Sequence, residues 1–143
     1  MDEHYRKLEN MYASAPVNDF YQPETLITKG EAKITIETEH KHFHAAMAVH
    51  GSVYFKMLDD AAFFAAQSVV SNVFVLTTQF NVQLIRPIFA ERITSKGTII
   101  SKTRSSIIAE SELLNESGKI LAIGRGSFAL SNIELTPEIG YQL

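Results

Sequence analysis

The chain has 143 residues, 45% of them hydrophobic, no cysteine and a formal net charge of −3. That length suits one ordinary domain with a sizeable core, and the Lys and Arg residues, spread from Arg6 to Arg125, form no concentrated positive stripe of the kind a phosphate backbone demands. Nucleic acid is therefore excluded as a partner, and the missing cysteines exclude disulfides, thiolate nucleophiles and Cys-ligated zinc, leaving carboxylates, hydroxyls and imidazoles for any chemistry.

In chain order, Tyr5, Leu8, Met11 and Tyr12 fall at helical spacing before Pro16 breaks the pattern, which predicts a short amphipathic helix over residues 2–13. The polar start, Met1-Asp2-Glu3-His4-Tyr5-Arg6-Lys7, has no apolar region behind it, and no run reaches membrane-spanning length. A cytoplasmic protein with no membrane partner is expected. A loop holding Pro23 completes an N-terminal section over 1–25. Glu31 to Glu37 then alternates, with Ala32, Ile34 and Ile36 opposite the charges, as a half-buried first strand should.

From about 50 to 68, Tyr54, Met57, Leu58, Ala61, Ala62 and Ala65 recur at three- and four-residue steps, and Phe55, Phe63 and Phe64 widen the apolar surface beyond one stripe. Such a helix should be largely buried. In the next run, Phe74, Leu76, Thr78, Phe80, Val82 and Leu84 share one side and Thr77, Gln79, Asn81 and Gln83 the other, until Arg86-Pro87 ends the strand. Residues 91–103, 106–115 and 119–130 read as further strands, with Asn115-Glu116-Ser117-Gly118 as a hairpin loop. Gly124 and Gly126, two apart, leave a trough where the apolar helix backbone could approach. The sum is an α+β domain over 1–143, an antiparallel sheet wrapped around a long central helix.

His50-Gly51-Ser52, with Asp59 seven positions after Ser52, carries the chemistry. A tight turn opens the central helix, where unpaired N–H groups can receive a developing negative charge, and a carboxylate lies two turns further in. A plainer account competes: Gly51 permits the turn, Ser52 caps the helix, and Asp59 and Asp60 are surface charges paired with Lys56. Asp60 serves as an internal control, because one step round a helix turns it roughly 100° from Asp59. His40, His42 and His44 alternate and could be metal ligands on one strand face or solvated loop residues.

The stretch Val49 to Asp59 resembles the signature of PaaI-like acyl-CoA thioesterases of the hot-dog fold, His-Gly-Gly, six residues, then Asp, with Ser52 departing at the second glycine. The resemblance covers about residues 31–130 and implies a set of roles. The Gly51 amide holds the thioester carbonyl oxygen, Asp59 attacks the carbon or activates water, His44 stands where the family has a side-chain donor, and Thr77 stands where it has a small hydroxyl residue. His50 is left structural, bonding loop backbone. Asp59 needs placement, not tuning, because a carboxylate is ionised at neutral pH.

The same resemblance implies at least a dimer with each site shared between subunits, a tetramer also being common, and no cofactor beyond the coenzyme A of the substrate. The long uncharged strand at 74–85 agrees, since such an edge is normally paired or covered. Lys102, Arg104 and Arg125 are candidates for the coenzyme phosphates, with Ser105 and Ser106 in the stretch 103–107 that would line its arm. An acyl pocket would draw on Phe43, Met47, Phe63, Phe64 and Val70 beside His50 and Ser52. Two alternatives are a hot-dog module that binds acyl-CoA without hydrolysing it and a hydratase of the same fold, whose His/Asp arrangement is not found here.

Overall fold

The computed structural model describes residues 2–143. Helix α1 (Asp2–Ser14) buries His4, Tyr5, Leu8, Met11 and Tyr12, the stripe that its spacing predicts. A four-residue helix, α2 (Asn18–Tyr21), follows, and then strand β1 (Glu24–Thr28), where the sequence reads as loop. The strand is short and half exposed, so alternation alone does not reveal it. It is recruited by antiparallel pairing with β2 (Glu31–Glu37) across a turn in which Gly30 takes φ +75°. The strand predicted as first is therefore second.

The central helix α3 (Gly51–Gln67) buries Val53, Tyr54, Met57, Leu58, Ala61, Ala62 and Ala65. Four further strands follow: β3 (Val73–Leu84), β4 (Arg92–Lys102), β5 (Ser106–Asn115) and β6 (Ile120–Glu134). All pairings are antiparallel, in the order β1-β2-β4-β5-β6-β3, and the sheet curls around α3. The hot-dog arrangement expected from the resemblance is present. Strand β3 lies at one end of that order, with one side of its ladder unpaired in the single chain.

Two packing details differ from the alternation read in the sequence. A bulge between Thr77 and Gln79 adds a residue to β3 and reverses its sides there. Val75 is consequently buried and Leu76 exposed, whereas Phe80 and Val82 still pack inward. The close approach of helix and sheet also occurs elsewhere than expected. A Cβ at Gly97 on β4 would overlap the Ala61 carbonyl of α3, while the space above Gly124 and Gly126 is filled by the Phe80 ring. A hydrogen bond from the buried Ser111 hydroxyl to the Leu58 carbonyl, 2.7 Å, ties the same helix to β5.

Candidate active site

The turn entering α3 is organised by its own side chains. His50 is extended and caps the helix: its Nδ1 accepts the Ser52 amide at 3.0 Å, with the Ser52 hydroxyl 2.8 Å away. The imidazole, not Ser52, is the cap. The Gly51 amide precedes any intrahelical acceptor, and among the described residues none takes it, so a free donor stands at the positive end of a 17-residue helix. Nor does the protomer's own fold require glycine there. Its φ is not positive, and an added Cβ would meet only Leu84 Cδ1, at an ordinary 3.6 Å.

Two turns on, Asp59 faces β3, where Thr77 Oγ1 donates to its Oδ1 at 3.0 Å. The bulge makes this possible, because Thr77 lies on the helix side of its strand and not on the polar side that simple alternation assigns it. Burial, then the neighbouring Asp60 charge, push the Asp59 carboxyl up to about 6, opposed by the Thr77 bond and by Lys56. Asp59 is thus tuned as well as placed. Asp60 points to the other flank, where Tyr12 donates to its Oδ2 at 2.6 Å and Lys56 pairs with the same oxygen. Lys56 was visible as a partner three or four residues back, whereas Tyr12 is 48 residues away and no local signal marks it.

The loop before α3 folds back on itself: the His44 amide bonds the Ala48 carbonyl, Phe43 bridges Val49, and the His50 amide bonds the His42 carbonyl. His44 is exposed, and its Nδ1 accepts the Ala46 amide at 3.0 Å, which puts the proton of a neutral ring on Nε2 as an outward donor. Met47, at φ +67°, projects from the tip. The three histidines do not share a strand face. His40–His42 is a 3₁₀ turn, His42 is buried against Tyr21, and no group of three His, Asp or Glu residues able to hold a metal occurs among the described residues.

Phe63 lies half-buried between Phe74 and Phe128, whereas Phe64 packs edge-on against Tyr12 on the α1 side and Val70 is buried in the core below. The apolar candidates therefore do not line one pocket within the chain. Lys102 closes β4, and Arg104 and Ser105 form the exposed turn before Ser106 begins β5. Register places Lys102, Ile107, Phe128 and Thr77 in one cross-strand row, so Lys102 stands about 14 Å from Thr77 across three strand spacings. Arg125 does not join this group. Flanked by inward-facing Gly124 and Gly126, it points to the outer face of the sheet and pairs there with Glu110 at 3.2 Å. It lines a concavity of about 950 Å³ with Lys33, Lys96 and Glu112, on the side of the sheet away from Asp59.

The Thioesterase superfamily model matches residues 47–122, more than half of the chain and including the His50 turn, Asp59 and Thr77. The chain belongs to the thioesterase superfamily. Among solved structures, this superfamily member is similar to the Escherichia coli PaaI protein from the phenylacetic acid degradation operon, with TM-score 0.86 and 18% identity over 94% of this chain and 98% of that one. It is similar also to a thioesterase from Haemophilus influenzae (TM-score 0.78, 17% identity, 87% and 88% covered). The phenylacetic acid degradation protein PaaI from Thermus thermophilus aligns at TM-score 0.73 and 20% identity over 80% and 98%. At such identities these likenesses concern the fold. Among curated proteins no match is found.

Proposed function

We propose that this thioesterase-superfamily chain hydrolyses acyl-CoA thioesters, with Asp59 as the reacting carboxylate and the Gly51 amide as oxyanion donor. The observation that carries the reading is the state of Asp59: a half-buried carboxylate, held by one neutral hydroxyl and pushed up to about 6, is still mostly ionised at pH 7 yet a better base than an ordinary one. A glycine that its own fold does not require, with an unspent N–H at a helix N-terminus, supports the companion role.

In the general-base route Asp59 takes a proton from water as the water oxygen bonds the thioester carbon. The carbonyl oxygen, now negative, is held by Gly51 N–H with His44 Nε2–H as a second donor. Collapse breaks the carbon–sulfur bond and expels the thiolate, which takes the proton back from Asp59. In the nucleophilic route an Asp59 oxygen bonds the carbon, the carbon–sulfur bond breaks and the thiolate leaves; water then cleaves the mixed anhydride, giving its oxygen to one acyl carbon and its proton to the thiolate. Label found in Asp59 after a single turnover in H₂¹⁸O establishes the nucleophilic route with water attacking the aspartyl carbon, and trapping of the anhydride by hydroxylamine detects it when water attacks the other.

Gly51 and Asp59 belong to one helix and lie eight residues apart, about 12 Å along its axis, too far for both to reach one carbonyl group. The working site then takes Gly51 and His44 from one protomer and Asp59 and Thr77 from a second, the exposed edge of β3 being where the two meet. Lys102, Arg104, Ser105 and Ser106 would receive the coenzyme, and Met47, Phe63, His50 and Ser52 the acyl side. Thiol release from a panel of acyl-CoAs tests the reading. Turnover lost in Asp59→Asn supports it, and tight acyl-CoA binding without turnover in the unmodified protein replaces it with a non-catalytic binding module.

A further inference from the structure

Lys56 is spaced to pair with either of two consecutive carboxylates, and the fold makes the choice. An i,i+3 pair with Asp59 and an i,i+4 pair with Asp60 are both within reach of a lysine on a helix surface. The structure commits Lys56 to Asp60, and the commitment comes from outside the helix. Tyr12 of α1 donates to Asp60 Oδ2 at 2.6 Å and accepts from Lys56 Nζ at 3.2 Å, so that three groups close a triangle. The Lys56 ammonium also lies 4.9 Å from the ring centres of both Tyr12 and Tyr21. Tyr12 is itself wedged edge-on against Phe64, at 4.9 Å. Side-chain exposure is 13% for Lys56 and 19% for Asp60, low enough for the pairing to resist screening by solvent.

Resting on the reading of Asp59 as the reacting carboxylate, we propose that Tyr12 of α1 with Lys56 and Asp60 of α3 forms a positioning clamp that withholds the neighbouring cation from Asp59. None of the three touches substrate in this scheme. They act through Asp59, whose surroundings are Thr77 from β3, Asp60 and Lys56 on its own helix, and the neutral Tyr12 phenol from α1, which burial and then the Asp60 charge hold far above its ordinary titration range. A carboxylate neutralised by an ammonium group is a poorer base and a poorer nucleophile. Keeping Lys56 on the far flank leaves the anion of Asp59 unspent and keeps its proton affinity high.

The clamp predicts shifts of opposite sign from two neighbouring substitutions. In Asp60→Asn the adjacent anion is gone and Lys56 is released toward Asp59, so the Asp59 midpoint falls by about one pH unit. In Lys56→Met the cation is gone and the Asp60 charge is left uncompensated, so the midpoint rises. Lys56→Arg, which keeps the cation, restores the starting value. The measurement is the carboxyl ¹³C titration of Asp59 in the folded protein, with the acid limb of the kcat/KM profile expected to move in parallel. Midpoints that stay put in both variants, or that move the same way, overturn the clamp. Because the carbon titration does not depend on hydrolysis, turnover that survives Asp59→Asn would overturn the catalytic reading alone, and the two failures are told apart.

Discussion

The two flanks of α3 carry the same side chain at consecutive positions and put it to opposite uses. On the β3 flank, Asp59 has one neutral hydrogen-bond donor and lies beside a strand edge where Leu76 is 44% exposed and Thr77, Thr78 and Gln79 are open to solvent. On the α1 flank, Asp60 is covered by Tyr12 and its Oδ2 is shared between the Tyr12 hydroxyl and Lys56. The helix gives both residues similar backbone surroundings. What covers each flank decides which carboxylate is structural and which is available. An exposed edge beside a perturbed carboxylate supports the proposal that the β3 flank is the functional one, because a partially buried anion without a cation costs stability and needs some other reason to persist.

The largest effect that would break this contrast is on Asp59. Asp59→Asn is expected to lower turnover at least about 10³-fold while the fold is retained. It should also raise the thermal midpoint at pH 7. A carboxyl group whose folded-state proton affinity is raised binds more protons folded than unfolded between the ordinary carboxylate range and about 6, so stability falls as pH rises through that window. The amide removes that penalty above pH 6 and gains nothing near pH 4, which thermal melts at the two pH values would check.

Gly97→Ala tests the seating on which both flanks depend, since the new methyl would strike the Ala61 carbonyl. A loss of about 3 kcal/mol in denaturant unfolding is expected, with Asp59 and Asp60 both displaced. Thr77→Val sharpens the comparison on the open flank alone. It removes the bond that favours the charged form of Asp59 and orients its carboxylate, so the acid limb of kcat/KM should move above pH 6 and the rate at neutral pH fall about tenfold, from protonation and lost orientation together. The smallest effect belongs to the helix start. His50→Ala leaves the Ser52 amide uncapped and should cost about 1 kcal/mol in thermal or denaturant unfolding.

Much of this arrangement is written locally. The apolar positions of α1 and α3 repeat at 3.6-residue spacing because one helix face must be buried, while β4 is dense in β-branched residues and a glycine turn joins β5 to β6. The His50-Gly51 turn is legible for the same reason, since a helix start has few chemical solutions. Alternation puts Thr77 on the wrong side of its strand, because a bulge is a property of two strands in register and leaves no trace in the alternation of one. Charge alone groups Arg125 with Lys102 and Arg104, whereas alternation with its two inward-facing glycine neighbours turns its side chain to the outer face of the sheet.

By itself the sequence determined which residues can react, where the central helix starts, and that a sheet must enclose it, because composition, periodicity and turn chemistry act over a few residues at a time. Only the tertiary structure decided that β1 joins the sheet, that Phe80 and not the helix fills the space above Gly124 and Gly126, and that Lys56 turns to Asp60 instead of Asp59. Each of those outcomes depends on a contact between elements far apart in the chain, Tyr12 with Asp60 being the plainest case, and such contacts exist only once hydrophobic burial has brought the elements together.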